Sequence, residues 1–161
     1  MGARAAFSAC GHYRWWLERL WQPQAPRLLF IGLNLFARIS SKPAGLRRCP
    51  DPVGSRCDAW IRRRWRDASR DCGPPGLWLG WGNGGAWWGR DREVLEMLAL
   101  LAGPAFRPLC LGLTAAGQPR HSLHQRRSGK LQPFAPSWGE NHPSAAAVQP
   151  CPALPVVTPF T

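Results

Sequence analysis

No run of apolar residues in this chain is long enough to cross a bilayer, and the N-terminus, Met-Gly-Ala-Arg-Ala-Ala-Phe-Ser, lacks the uninterrupted apolar core of a signal peptide. The expected location is therefore the cytoplasm, with no membrane partner. C-x-x-C pairs are missing as well. The six cysteines (Cys10, Cys49, Cys57, Cys72, Cys110, Cys151) have only four histidines to join them, which argues against a zinc site or any other metal centre. In a reducing compartment these thiols should stay free, and Cys110, set in an apolar run, behaves as a small hydrophobe. The Gly-rich turn Gly82-Asn83-Gly84-Gly85 has neither G-x-G-x-x-G spacing nor a P-loop lysine, so no cofactor is expected.

Acidic side chains are also scarce. Nine Asp and Glu stand against 21 Lys and Arg, a formal net charge of +12. The excess clusters between Arg38 and Arg70, where only Asp51, Asp58 and Asp67 oppose it, and from Arg107 to Lys130, where no acid does. Such clustering is the footprint of a phosphate-bearing partner, nucleic acid or nucleotide. The competing explanation is an arginine-rich coding bias that aids solubility. With 161 residues, 45% of them hydrophobic, the chain is the size of one domain able to bury a core. We expect a single α/β domain over residues 1–135. A Pro/Ala/Ser-rich disordered tail should follow over 136–161.

The chain presents its elements in a clear order. Phe7 to Trp21 is aromatic-rich around a Cys10-Gly11 turn and predicts a β-hairpin covering a sheet edge. Arg27 to Leu33 is nearly all apolar, the pattern of a strand buried on both faces. Ser40 to Gly54 reads as loop, with Ser41-Lys42-Pro43 and Pro50-Asp51-Pro52 as turn signals. Asp58 is placed to cap a helix running to about Ser69, with Ile61, Trp65 and Ala68 on one face and Arg62, Arg63 and Arg66 on others. That basic face is either a solvated surface or a nucleic-acid contact. Leu77 to Trp81 is a second central strand. Asp91 to Ala102 is the clearest helix, with Val94, Leu95, Leu98 and Leu101 as its apolar stripe and Gly103-Pro104 as its stop.

Leu109 to Leu113 is the third strand, and the polar turn after it delivers Arg120 and His121 to one edge of the sheet. A strand ending in a cation and a titratable ring is where α/β proteins place a site. The plainer alternative is an arginine that solvates a loop and a histidine that caps it.

Phe7-Ser8 with Cys10-Gly11 and Tyr13-Arg14, Leu28 to Asn34, Leu35-Phe36-Ala37, Pro43 with Leu46, Asp51-Pro52 with Gly54 and Asp58, Trp81-Gly82, Arg90, Leu111 to Thr114, Gly117, Pro119 and His121 together resemble an uncharacterised bacterial family, domain of unknown function 1643. Three departures stand out. The family's Asn-Pro-Ser-Thr-Ala-Asp loop and the β-α segment after it, about thirty residues, are missing between Leu33-Asn34 and Leu35. At the other end the family's His-Pro-Leu-Tyr has become His121-Ser122-Leu123-His124, and an Asn before Asp58 has become Cys57. The family pattern is more distantly similar to the uracil-DNA glycosylase superfamily. That similarity implies a three-layer sandwich with a short, mainly parallel central sheet, truncated here by about one β-α unit. It puts Asn34 where a polar group positions the attacking water, and His121 where a ring stabilises the departing base. Around this pair the candidate substrate- or phosphate-binding residues are Arg120, Trp81, Gly82, Thr114 and Arg14, with Arg62, Arg63 and Arg66 as a nucleic-acid contact.

Three functions follow. One is a degenerate glycosylase-like domain with weak nucleic-acid or nucleotide binding and, for want of the loop, little glycosylase activity. Another is a small enzyme acting on a nucleotide or modified base, with His121 as acid or base and Arg120 on a phosphate. The last is a non-enzymatic interaction module presenting Trp15, Trp16, Trp87 and Trp88.

Overall fold

The computed structural model describes residues 3–19, 28–32, 35–40, 42–70, 75–121 and 129–135. Among them the chain is mixed α/β, with a two-stranded antiparallel sheet and a four-stranded, mostly parallel one. The expected tail over 136–161 lies outside the described residues. So do Arg27 and Leu33, the ends of the first expected central strand.

The parallel sheet holds β3 (Leu28–Ile31), β4 (Gly76–Leu79) and β5 (Pro108–Cys110) side by side, as three short apolar runs separated by helices should lie. In register, Phe30 stands beside Trp78 and Trp78 beside Leu109. The neighbouring positions Ile31, Leu77, Leu79 and Cys110 are buried. Ile31, Leu77 and Leu79 share one core with Ile61 and Trp65 of the first long helix and Val94, Leu95 and Leu98 of the second. Phe30 and Trp78 are half-buried and outside that core, their rings 4.6 Å apart. The helices therefore cover one face of the sheet deeply.

A fourth strand, β6 (Gln132–Pro133), runs antiparallel to β5, and the Phe134 N–H donates to the Pro108 carbonyl at 2.8 Å. Sequence reasoning missed it because two residues, one a proline, make no apolar pattern; proline is tolerated on an edge strand. The expected third strand also stops early. After Cys110 the chain bends at Leu111, and Leu113, 43% exposed, bridges to Pro119 instead of extending β5.

The hairpin is present, β1 (Ala3–Phe7) with β2 (Arg14–Arg19), and begins earlier than the aromatic pattern suggested. It covers no edge of the larger sheet among the described residues. Its turn and the start of β2 are bonded to the segment after β3, through Ile39 N–H to His12 O at 2.9 Å and Arg14 N–H to Ala37 O at 2.8 Å. Trp16 packs on Trp60 of the first long helix, ring centroids 5.9 Å apart. Trp15 is in the core, stacked on Tyr13 at 5.3 Å, so it presents nothing to a partner. Gly54 (φ 77°) lies so near both rings that a Cβ there would sit 2.8 Å from each.

Within the segment expected to be loop, Pro43–Arg47 forms a single helical turn, α1, opened by its proline. The first long helix, α2 (Cys57–Ser69), buries Cys57, Ile61 and Trp65. Asp58 is not its N-cap: Arg56 holds that position, and Asp58 stands inside the first turn. The second, α3 (Arg90–Ala102), starts one residue before the expected Asp91, and Gly103 (φ 53°) ends it.

Candidate functional site

Ligands of open α/β sheets bind outside the carboxyl ends of the strands. Three segments leave β3, β4 and β5 at that end. The one after β5 folds into a closed turn: Thr114 N–H donates to Gln118 O at 2.8 Å, Gly117 N–H to Thr114 O at 3.0 Å, and Arg120 N–H to Gly112 O at 2.9 Å. Gly82 N–H then donates to Pro119 O at 2.7 Å, tying the turn to the chain leaving β4. Arg120 and His121 are thereby brought back over Gly80, whose Cβ, if it had one, would be 3.3 Å from the Arg120 carbonyl.

This arrangement gathers Trp81, Gly82, Thr114, Arg120 and His121. Trp81 is 1% exposed and forms the floor: its Nε1–H donates to Gln118 Oε1 at 2.7 Å, and Gln118 Nε2–H donates on to Asp91 Oδ2 at 2.9 Å. The Thr114 hydroxyl donates to Asn83 Oδ1 at 2.6 Å. The exposed Arg120 side chain donates through Nε to the Leu113 carbonyl at 2.7 Å. The His121 ring meets Phe30 edge-on, centroids 6.4 Å apart. Gln118, Asn83 and Asp91 were not singled out in the sequence. The signal of Gln118 and Asp91 is the bonding a buried tryptophan N–H requires, which no spacing rule reveals.

The remaining candidates stand elsewhere. Asn34 lies outside the described residues. Arg14 is exposed on the hairpin, its backbone bonded to Ala37. Arg62, Arg63 and Arg66 are exposed along α2, with the Arg63 guanidinium 5.0 Å above the Trp60 ring. Arg66 borders an open cleft of about 420 Å³ with Trp65, Ser69, Arg70, Leu101 and Ala102.

A second group, centred on Arg90, was not foreseen. This arginine opens an amphipathic helix yet is only 3% exposed. Its guanidinium donates through Nε to Leu35 O at 2.9 Å, through Nη1 to Glu93 Oε2 at 3.1 Å, and through Nη2 to Asp58. Burial works against the charge, but the Asp58 and Glu93 carboxylates outweigh it and hold the pKa above the ordinary arginine value. The Cys57 thiol shares the Leu35 carbonyl, Sγ to O 3.6 Å. The chain just after Asn34 is therefore pinned from two helices. The clue available in the sequence was Asp58 and Arg90 together in the family pattern.

Burial pushes the Cys57 thiol above its usual range, although the Arg90 charge opposes this. Cys10 is exposed, and its pKa is lowered by hydrogen bonds from the Ser8 side chain and the His12 backbone. Because the thiolate is the reactive form, iodoacetamide at neutral pH should label Cys10 first. Cys57 should react only once the protein is unfolded, as followed by peptide mass mapping. Equal rates in the folded protein would refute this assignment.

Among the described residues no group of three His, Cys, Asp or Glu is placed to hold a metal ion, and no helix is long and apolar enough to cross a membrane. No curated protein and no solved structure matches the chain. The family described as "Protein of unknown function (DUF1643)" matches over residues 32–123, more than half of the chain, and the protein belongs to that family.

Proposed function

We propose that this protein is a degenerate, glycosylase-like member of its family, shortened by about one β-α unit after Asn34, that binds nucleic acid or nucleotides weakly without cleaving them. The reading is carried by the state of the groups at the carboxyl ends of the strands. Trp81 is sealed beneath the turn, the Gly82 amide is taken by Pro119, and Arg120 Nε by Leu113. Groups that would hold a substrate in a catalytic site are spent on holding the turn together. What faces outward is Arg120 and Asn83, beside a chain of net charge +12. Cations at the surface attract phosphates without the sub-ångström placement that glycosidic cleavage demands.

Binding of this kind is driven by release of counterions, so affinity for any oligonucleotide should fall steeply as salt is raised from about 50 to about 200 mM, with little sequence preference. Replacing Arg62, Arg63 and Arg66 together with alanine should weaken binding evenly across sequences and flatten the salt dependence by about one unit of slope for each phosphate no longer neutralised. Fluorescence anisotropy at several salt concentrations measures both. Affinity independent of salt ends the proposal. Release of free base from a uracil-containing oligonucleotide, abolished by His121→Ala, would show instead that the domain is an active glycosylase.

A further inference from the structure

The chain between β4 and α3 carries a residue that its own fold does not explain. Trp88 has φ 57°, and among the described residues it is the sole non-glycine with positive φ. A bulky side chain in the left-handed region is strained, and such strained residues cluster at active sites, ligand contacts and switches. The next residue, Gly89 (φ 71°), supplies the same backbone conformation without penalty, so the turn into α3 does not need a side chain at 88. Nor does burial hold it there: Trp88 is 58% exposed.

Its surroundings form a graded aromatic surface. Buried Phe36, from the segment after β3, meets Trp88 edge-on at 5.8 Å and 78°. Trp87, half-buried, meets it edge-on at 6.2 Å and 76°. Edge-on neighbours steady an indole without covering both its faces. On the Trp87 ring, in turn, lies the Arg47 guanidinium at 5.2 Å. An indole held open by its neighbours, with a cation one ring away, pairs the two groups that bind single-stranded nucleic acid: a platform on which an unpaired base stacks and a charge for the adjoining phosphate.

We infer that Trp88 is the base-stacking platform of a single-stranded nucleic-acid site on the surface beside Phe36, Trp87 and Arg47. The inference rests on the nucleic-acid reading above and adds the form of the nucleic acid and the residue that selects it. A duplex keeps its base faces covered and gains only the phosphate attraction; an unpaired strand gains the stack as well.

Trp88→Gly tests this, because glycine suits φ 57° and relieves the strain as it removes the ring. The melting temperature should stay within about 4 °C of the parent, since loss of the edge-on packing opposes relief of the backbone. Affinity for a fluorescein-labelled oligo(dT) should fall about tenfold, while affinity for a duplex is unchanged. Trp88→Phe should recover most of the single-strand affinity. If the parent binds oligo(dT) and duplex with steep salt dependence and Trp88→Gly binds both as well as the parent, the platform is refuted and the weaker nucleic-acid reading survives. If the parent binds neither at low salt, both fall. A change of oligomeric state on Trp88→Gly, read by size-exclusion chromatography, would mean that the ring packs against a second copy, and would overturn the inference.

Discussion

Trp81→Ala is expected to lower the unfolding free energy by about 3–5 kcal/mol, the cost of emptying a fully enclosed tryptophan site. Trp81 is 1% exposed, and two features keep its site from collapsing. On one side Gly85 approaches so closely that a Cβ there would strike the indole, so the backbone of the following turn is moulded to the ring. On the other, Phe134 meets it edge-on at 6.5 Å, joining it to the strand that closes the sheet. Hydrogen bonding adds a smaller effect. With the indole N–H gone, Gln118 Oε1 loses its donor while Gln118 Nε2 stays engaged by Asp91. Trp81→Phe, which keeps an aromatic ring but removes the donor, should therefore cost about 1–2 kcal/mol. Urea denaturation separates the two, and a loss below about 1 kcal/mol for Trp81→Ala would mean that the ring does not hold this end of the sheet together. Loosening of the turn should also show as faster hydrogen exchange at the Thr114 and Arg120 amides, which are held by bonds inside it.

The sequence revealed those parts of the molecule whose signal is local. Three apolar runs bounded by Gly and Pro predicted β3, β4 and β5 as neighbours, because burial in a parallel sheet leaves a nearly continuous apolar stretch. The stripes through Ile61 and Trp65 and through Val94, Leu95 and Leu98 predicted α2 and α3 to within a residue or two at their starts. What escaped is what depends on contacts far apart in the chain. Asp58 has the residue type and place of a helix cap, yet its carboxylate serves Arg90, 32 positions away. Trp81 has the composition of a ligand platform, yet Gln118, 37 positions on, draws it into the floor. Trp88, by contrast, was grouped with three other tryptophans; only its backbone angle and exposure set it apart. Arg120 and His121 were placed at the carboxyl edge by the Gly-Gln-Pro turn before them, and the turn's internal hydrogen bonds supply the physical reason.

Asp58→Ala should destabilise the protein by about 3 kcal/mol, more than removing its partner does. The reasoning turns on which member of the pair is left behind. Arg90 is 3% exposed, so without Asp58 its charge stays inside, with the Leu35 carbonyl and with Glu93, whose side chain is 63% exposed and shares its carboxylate with water. A buried charge deprived of its main counter-ion retains most of its desolvation cost. Arg90→Met removes the charge and keeps much of the volume. The Asp58 side chain, already 40% exposed, can then be hydrated, leaving as the chief loss one donor to the Leu35 carbonyl, about 1–2 kcal/mol. The double variant should resemble Arg90→Met rather than the sum, since with no buried cation Asp58 has nothing left to neutralise. The reverse order, Arg90→Met costing more than Asp58→Ala, would show that packing and the carbonyl bond, not the buried charge, govern this joint. The order also bears on the proposed nucleic-acid surface, because the Leu35 carbonyl that Arg90 holds belongs to the residue immediately before Phe36, which the Trp88 ring meets edge-on. A variant that frees it should weaken oligonucleotide binding even where the fold survives.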